Sequence, residues 1–312
     1  MKNNLKIGNL QLKYRTLLAP MASLTDIVFR RVLDEIGGVG LMITELISAE
    51  GLRRKKKKTI SMIKSHNFNT PQFIQIYGSE PDALMDAAKY IEGETEYSGI
   101  DINMGCPVWK IVKRKAGSAL LKDSNKIREI CKKVRNAIHI PLTVKIRLGY
   151  NEENVFEILK VLEGEGVNAV TVHFRLKTDR YSSKAKWQYA EKIKEKTDLT
   201  IIGNGSIFNR DEALKSLEIV DGIMIGRGAI SNPFIFSEIT DQIYSKEYKN
   251  EFNKRIIALI EEYYPPELRL PRLKTFTKYL SKGKPFVRKT KYNIYTSKTF
   301  NDAIPFFKNL NI

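Results

Sequence analysis

The sequence predicts an α/β protein, a (β/α)8 TIM barrel with a small C-terminal helical domain. Three observations carry that expectation. Eight short apolar runs, bounded by glycine or turn residues, recur between Leu17 and Gly226, and such runs read as buried strands. Segments with helical period lie between them, the alternation of a parallel sheet covered by helices. Strand signals then end near Pro233, and the rest of the chain is helical and strongly basic. Eight βα units in about 240 residues is the size of a closed barrel. Residues 1–240 are therefore assigned to the barrel and 241–312 to the helical domain.

Taken in order, residues 5–12 alternate apolar and polar side chains around Gly8 and Asn9 and read as a small hairpin covering one end of the fold. The barrel strands follow at 17–21, 41–45, 73–77 and 99–103, then at 142–147, 169–173, 199–203 and 222–226. Between them, 25–33, 80–88 and 154–162 carry helix signals. An open doubly wound sheet is the rival architecture, but the Gly-x-Gly-x-x-Gly turn it often carries after its first strand is missing. Residues 252–264 read as a helix stopped by Pro265 and Pro266.

Composition narrows the class. A chain of 312 residues with 42% hydrophobic content can bury a large core, and no apolar run reaches the roughly 18–20 residues that cross a bilayer. Two cysteines make no disulfide framework. The N-terminus lacks the apolar stretch of a secretory signal, so a cytoplasmic location is expected. Cys131 shares a helical face with Ile127, Ile130 and Val134 and reads as core. The formal charge of +18 points to a polyanionic partner, nucleic acid before membrane, because no amphipathic basic helix stands out. In residues 268–312 eleven Lys/Arg stand against one Asp, with Phe276, Tyr279, Phe286, Tyr292 and Tyr295 interleaved. Cations among aromatics suit RNA, through phosphate contacts and base stacking, although a solvated basic helix pair has the same composition. The basic run at 53–58 reads either as part of that surface or as a solvated helix start.

Chemistry in this architecture gathers at the C-terminal ends of the strands. Here those ends carry Pro20 and Met21, Thr44 and Glu45, Gln75, Asn103 with Cys106, Lys145 and Arg147, His173 and Arg175, Asn204, and Gly226 with Arg227. Packing alone would call for apolar residues. The glycine-rich turns 203–206 and 226–228 follow the last two strands, where such barrels commonly hold a phosphate group on backbone N–H groups. Cys106 sits in a Gly-Cys-Pro turn after the fourth strand, followed by Lys110, Lys113, Arg114 and Lys115. A thiol beside a cationic loop suggests a reactive sulfur near a polyanion. By residue type alone, however, most free cysteines are buried small hydrophobes.

In this order the motifs resemble the flavin-dependent tRNA-dihydrouridine synthases. The matching segments are 18–21 with 25–26, 44–50, 75–78, 101–107 with 113–118, 144–149, 172–175, 203–205 and 225–227. The likeness spans roughly residues 10–235 and is most specific at Asn103-Met104-Gly105-Cys106-Pro107. There are departures: Leu176 stands where a threonine commonly follows the arginine, Ser183 and Lys186 depart from a Gly-Lys-Ala-Asp-Trp element, and 272–283 follows the family's tail only loosely. The tRNA position modified is left open by that tail.

The resemblance implies reduction of the C5=C6 bond of a uridine in tRNA by FMN, itself reduced by NADPH or NADH, in a monomer that uses no metal and no membrane. It implies that Cys106 is the general acid delivering a proton to C5. Pro20, Met21 and Ala22 would lie against the flavin ring, Gln75 and Lys145 would face its N1–C2 edge, and His173 would lie on the phosphate side. Asn204, Gly205, Ser206, Gly226 and Arg227 would hold the phosphate, while Asn103, Arg175, Lys113 and Arg114 would face the substrate. Two other classes remain: a flavin barrel acting on a small enone, which the basic tail argues against, and an RNA-binding protein without catalysis, which the intact cysteine, lysine and phosphate turns argue against.

Overall fold

The computed structural model describes residues 4–64 and 66–310. Strands β1 (Leu5–Ile7) and β2 (Leu10–Leu12) pair antiparallel as the expected hairpin. Strands β3 (Thr16–Leu18), β4 (Leu41–Ser48), β5 (Gln72–Tyr77) and β6 (Gly99–Asn103) follow, with β7 (Leu142–Gly149), β8 (Ala169–Leu176), β9 (Thr200–Asn204) and β10 (Gly222–Ile225) after them. These eight close into a parallel barrel in which β10 pairs with β3. Every predicted strand forms. Strand β3 stops earlier than expected: Ala19 N still donates to Ile225 O at 2.9 Å, but Pro20 has no N–H to continue the ladder. Strands β4 and β7 run longer, each with a register shift, between Ile43 and Leu46 and between Arg147 and Gly149.

The hairpin residues Leu5, Ile7 and Leu12 share a buried cluster with Leu17, Leu41, Phe73, Ala169, Ile202 and Met224, most of them near strand starts. The hairpin therefore plugs the N-terminal end of the barrel with apolar side chains, and polar groups are left for the opposite end. The larger core lies between strands and helices. The basic run 53–58 is exposed and partly paired, with Arg53 3.4 Å from Asp86 and Arg54 2.5 Å from Glu50.

Beyond the barrel come four longer helices, Lys246–Tyr263, Pro266–Leu280, Arg288–Thr296 and Phe300–Lys308. Among the described residues they form no core of their own. Phe252, Ile256, Ile260, Leu273 and Phe276 belong to the same buried cluster as the barrel helix Ile27–Ile36, and the Phe29 and Phe276 ring centroids are 6.3 Å apart. Among the described residues no helix is long and apolar enough to cross a membrane.

Candidate active site

A cavity of about 280 Å³ opens at the C-terminal end of the barrel. Strand ends supply its wall: Pro20, Met21 and Ala22 after β3, Asn103 and Cys106 around the end of β6, Lys145 and Arg147 on β7, and His173 on β8. Asn204, Gly205 and Ser206 follow β9, and Gly226 and Arg227 follow β10. Twelve of the expected site residues thus meet at one place, because a closed barrel brings consecutive strand ends into a ring.

The last two turns depend on glycine. Gly205 has φ +125°, and a Cβ there would come within 2.9 Å of Ala185 Cβ. At Gly228 a Cβ would lie 2.3 Å from the carbonyl oxygen of Ile207. The backbone can therefore line the cavity closely. Arg227 is steered to the rim, its guanidinium 5.1 Å from the Tyr181 ring and 5.5 Å from the Phe208 ring, and Nη1 donates to Tyr181 O at 3.3 Å.

Lys145 Nζ donates to Asn204 Oδ1 at 2.9 Å, and Asn204 Nδ2 donates to Met224 O at 2.7 Å. Burial, with the Arg147 charge beside it, lowers the Lys145 ammonium to about 7. Burial and the surrounding cations, Lys145 first among them, push the His173 imidazole well below its usual range, so it is neutral at neutral pH. Arg175 Nη1 lies 3.2 Å from His173 Nε2 and can only donate, which puts the ring proton on Nδ1. That buried N–H has no partner among the described residues. With apolar Met21, Met224 and Ile225 also in the wall and the glycine turns at the rim, the residues present fit an aromatic ring bearing a phosphate, such as FMN.

The thiol loop is fixed at its root. Cys106 N donates to Asn103 Oδ1 at 3.0 Å, and Ser118 N donates to Cys106 O at 3.0 Å. Burial pushes the Cys106 thiol up, while the Val108 N–H and the charges of Arg147 and Lys145 pull the other way. Burial dominates, so the thiol stays protonated at neutral pH.

Four expected residues lie elsewhere. Gln75 is fully buried beneath Asn103: its Nε2 donates to Asp101 Oδ2 at 2.6 Å and its Oε1 accepts from Asn103 Nδ2 at 2.9 Å. Arg175 is buried behind the wall, donating to Ser183 O and to Ser206 Oγ, the latter at 2.8 Å. It orients a turn and the His173 ring and does not line the substrate side. Lys113 and Arg114 are exposed just after the short helix Trp109–Val112, outside the cavity. The sequence reading gave Arg147 no role, yet it ties the rim together, donating to Gly105 O and Leu176 O at 2.8 Å each and to Tyr181 Oη at 3.2 Å. Its signal was the spacing of two from Lys145, which puts both side chains on one face of β7.

The sequence profile of the dihydrouridine synthase family matches residues 17–303. A probable tRNA-dihydrouridine synthase of Rickettsia conorii is 35% identical over 254 residues, 79% of this chain and 75% of that protein. The tRNA-dihydrouridine synthase B of Pasteurella multocida is 36% identical over 271 residues, 83% of this chain and 80% of that protein. Among solved structures, a variant of NCR from Zymomonas mobilis aligns with a TM-score of 0.57 at 14% identity, over 80% of this chain and 94% of that one. That likeness is one of fold. The profile takes in every cavity residue named above together with most of the C-terminal helices, and on that span this chain belongs to the dihydrouridine synthase family of oxidoreductases.

Proposed function

We propose that the chain reduces the C5=C6 bond of uridines in tRNA to 5,6-dihydrouridine, with FMN in the cavity and NADPH or NADH as reductant. The observation that carries this reading is a thiol held protonated by burial in the wall of a cavity that Lys145 and His173 also line. The curated relatives named above are tRNA-dihydrouridine synthases. When bound, FMN would supply the hydride equivalent for this reduction, drawn in turn from the nicotinamide.

The chain's own side chains do the rest. Cys106 gives its proton to C5 from the opposite face of the base and is left as a thiolate beside Arg147 and Lys145, to be reprotonated from water. Lys145 Nζ lies where an anionic ring edge would favour its ammonium form. His173 would pack against the same bound group. Backbone N–H groups of Gly205, Ser206 and Gly226, with the Arg227 guanidinium, hold the phosphate. Asn103 orients the thiol loop, since its amide is engaged by Cys106 N and Gln75.

A uridine must leave the RNA stack to reach the cavity. Lys113 and Arg114, with residues 268–312, would meet the phosphates around it. Trp109 offers a face for stacking; it is 68% exposed, with Lys113 Nζ 4.8 Å from its ring centroid. In this reading residues 1–240 perform the reaction and 241–312 engage tRNA, in a cytoplasmic monomer. The test is reoxidation of the reduced, FMN-loaded protein by whole tRNA and by free uridine, with mass-spectrometric mapping of the product. Rapid reoxidation by tRNA alone supports the reading. Equal rates with free uridine would turn it toward a small-enone reductase, and no product from either would end it.

A further inference from the structure

The loop that carries Pro20, Met21 and Ala22 into the cavity wall is gripped from the side of the C-terminal helices. Asp26 caps the helix Ile27–Ile36, its Oδ1 accepting from Phe29 N at 3.1 Å. Its other oxygen faces the tail: Arg272 Nη2 lies 2.6 Å from Asp26 Oδ2, and the Tyr264 hydroxyl donates to the same atom. The Arg272 Nη2 contact is off the line of a good hydrogen bond, so the attraction there is chiefly ionic. Arg272 Nη1 also donates to Ser23 O, while Ser23 N donates to Glu45 Oε1 on β4. Ser23 has φ 61°, a left-handed conformation that serine seldom adopts without support. Around it Met21 O accepts from Leu24 N and Thr25 N at 3.0 Å each, and Met21 N donates to Thr25 Oγ1 at 2.9 Å. The wall is thus one tight turn pinched between Glu45 and Arg272.

Arg272 and Asp26 are almost completely enclosed, with side chains 8% and 4% exposed. The guanidinium packs over the rings of Phe276 and Tyr264, at 4.6 and 5.8 Å from the centroids. Enclosed in this way, Arg272 cannot meet an RNA phosphate, although it lies in the most basic part of the chain. A buried ion pair is a poor device for stability alone, since apolar residues of like volume often serve as well. What the two-pronged guanidinium provides is geometry, a fixed relation between the helix Pro266–Leu280 and the turn at Ser23.

We propose that Arg272 is a positioning residue for the pocket wall, making the conformation of loop 20–26 depend on the seating of the C-terminal helices. In its second half, that the wall so positioned receives FMN, the proposal rests on the function proposed above. Seating of the helices and filling of the pocket then favour each other by the same factor.

Hydrogen exchange followed by mass spectrometry on the full chain tests the first half without any cofactor. Arg272→Met should speed exchange of the amides at 23–25 about tenfold. Leu280→Ala, a cavity about two turns further along the same helix from Arg272, should leave those amides as in wild type. Should Arg272→Met not fold, the double substitution Asp26→Asn with Arg272→Met, which leaves no uncompensated carboxylate at position 26, takes its place with the same expectation. Unchanged exchange at 23–25 in the folded variant overturns the proposal. FMN titration by flavin fluorescence then separates the two readings. Wild type binding FMN, with Arg272→Met weaker by about tenfold, supports both halves. Faster exchange at 23–25 in a protein whose wild type takes up no FMN sinks the flavin reading and leaves the positioning role standing.

Discussion

The turns after β9 and β10 and the loop after β6 both border the cavity, yet they are built from different materials. Gly205, Gly226 and Gly228 let the backbone approach closely, and their neighbours are tied down: Asn204 to Lys145 and Met224, Ser206 to Arg175, Trp187 Nε1 to Gly205 O. The thiol loop is fastened at its root by Asn103 and Ser118, then runs outward through Val108 and Trp109, 53% and 68% exposed, to a row of exposed cations. A backbone cradle with fixed donors suits a small ligand that stays. An exposed, cationic, aromatic loop suits a large polyanion that arrives and leaves. The sulfur lies where the two meet.

Substitutions on each side should therefore separate. The largest effect is expected at Cys106: Cys106→Ala should slow reoxidation by tRNA about 10²–10⁴-fold, the usual share of a positioned general acid, and leave reduction by NADPH intact. Stopped-flow flavin absorbance resolves the two half-reactions, and a wild-type reoxidation rate would make the thiol structural. Cys131→Ala is the contrast. Its thiol lies in the core, pushed up to about 12 by burial, and neither half-reaction should change.

On the cradle side, Arg227→Ala would remove the proposed charge-assisted contact, worth about 1.5–3 kcal/mol, and should weaken FMN by roughly 10- to 100-fold, read by fluorescence titration. Affinity of the folded variant for tRNA at saturating FMN should stay near wild type. On the loop side the reverse holds. Lys113→Ala with Arg114→Ala should lower tRNA affinity about tenfold at low salt and flatten its salt dependence by about one to two counterions. Flavin affinity should be unaltered.

The last expected effect is thermal. Lys145 is held at about 7 in the cofactor-free protein, against about 10.4 in an unfolded chain. Between those values the unfolded state binds the extra proton, so the contribution of this group to stability rises as pH climbs from about 7 to about 10. Lys145→Met should accordingly raise Tm most at pH 7 and below, and little above pH 10. Thermal scans of both proteins across that range check the sign. FMN should remove the difference, because an anionic partner restores the ammonium.

The strands were legible because each is a short apolar run with a polar end, and residues 99–103 form a strand as read, end to end. Cys106, Lys145, His173 and Asn204 were legible for the same reason, as closure of the barrel fixes where strand ends meet. Gln75 shows what such a reading misses. It pairs with Asp101, while Asn103 pairs with Lys145, so Gln75 stands one layer deeper in the barrel than the residues it was grouped with. Depth is a matter of register between strands, and register is not written in any one strand. The grip of Arg272 on Ser23 was further out of reach, since 249 positions separate them and only the folding of the tail onto the helix Ile27–Ile36 brings them together.

The hairpin at the start of the chain has a kinetic corollary. With Leu5, Ile7 and Leu12 packed into the N-terminal end of the barrel, visitors to the cavity come from the C-terminal end. Under the proposed chemistry the nicotinamide and the uridine would then share one doorway and press on the same ring. Each must depart before the other enters. Steady-state rates should therefore follow a double-displacement pattern, with parallel lines in reciprocal plots, and an excess of either visitor should slow turnover by occupying the other's place.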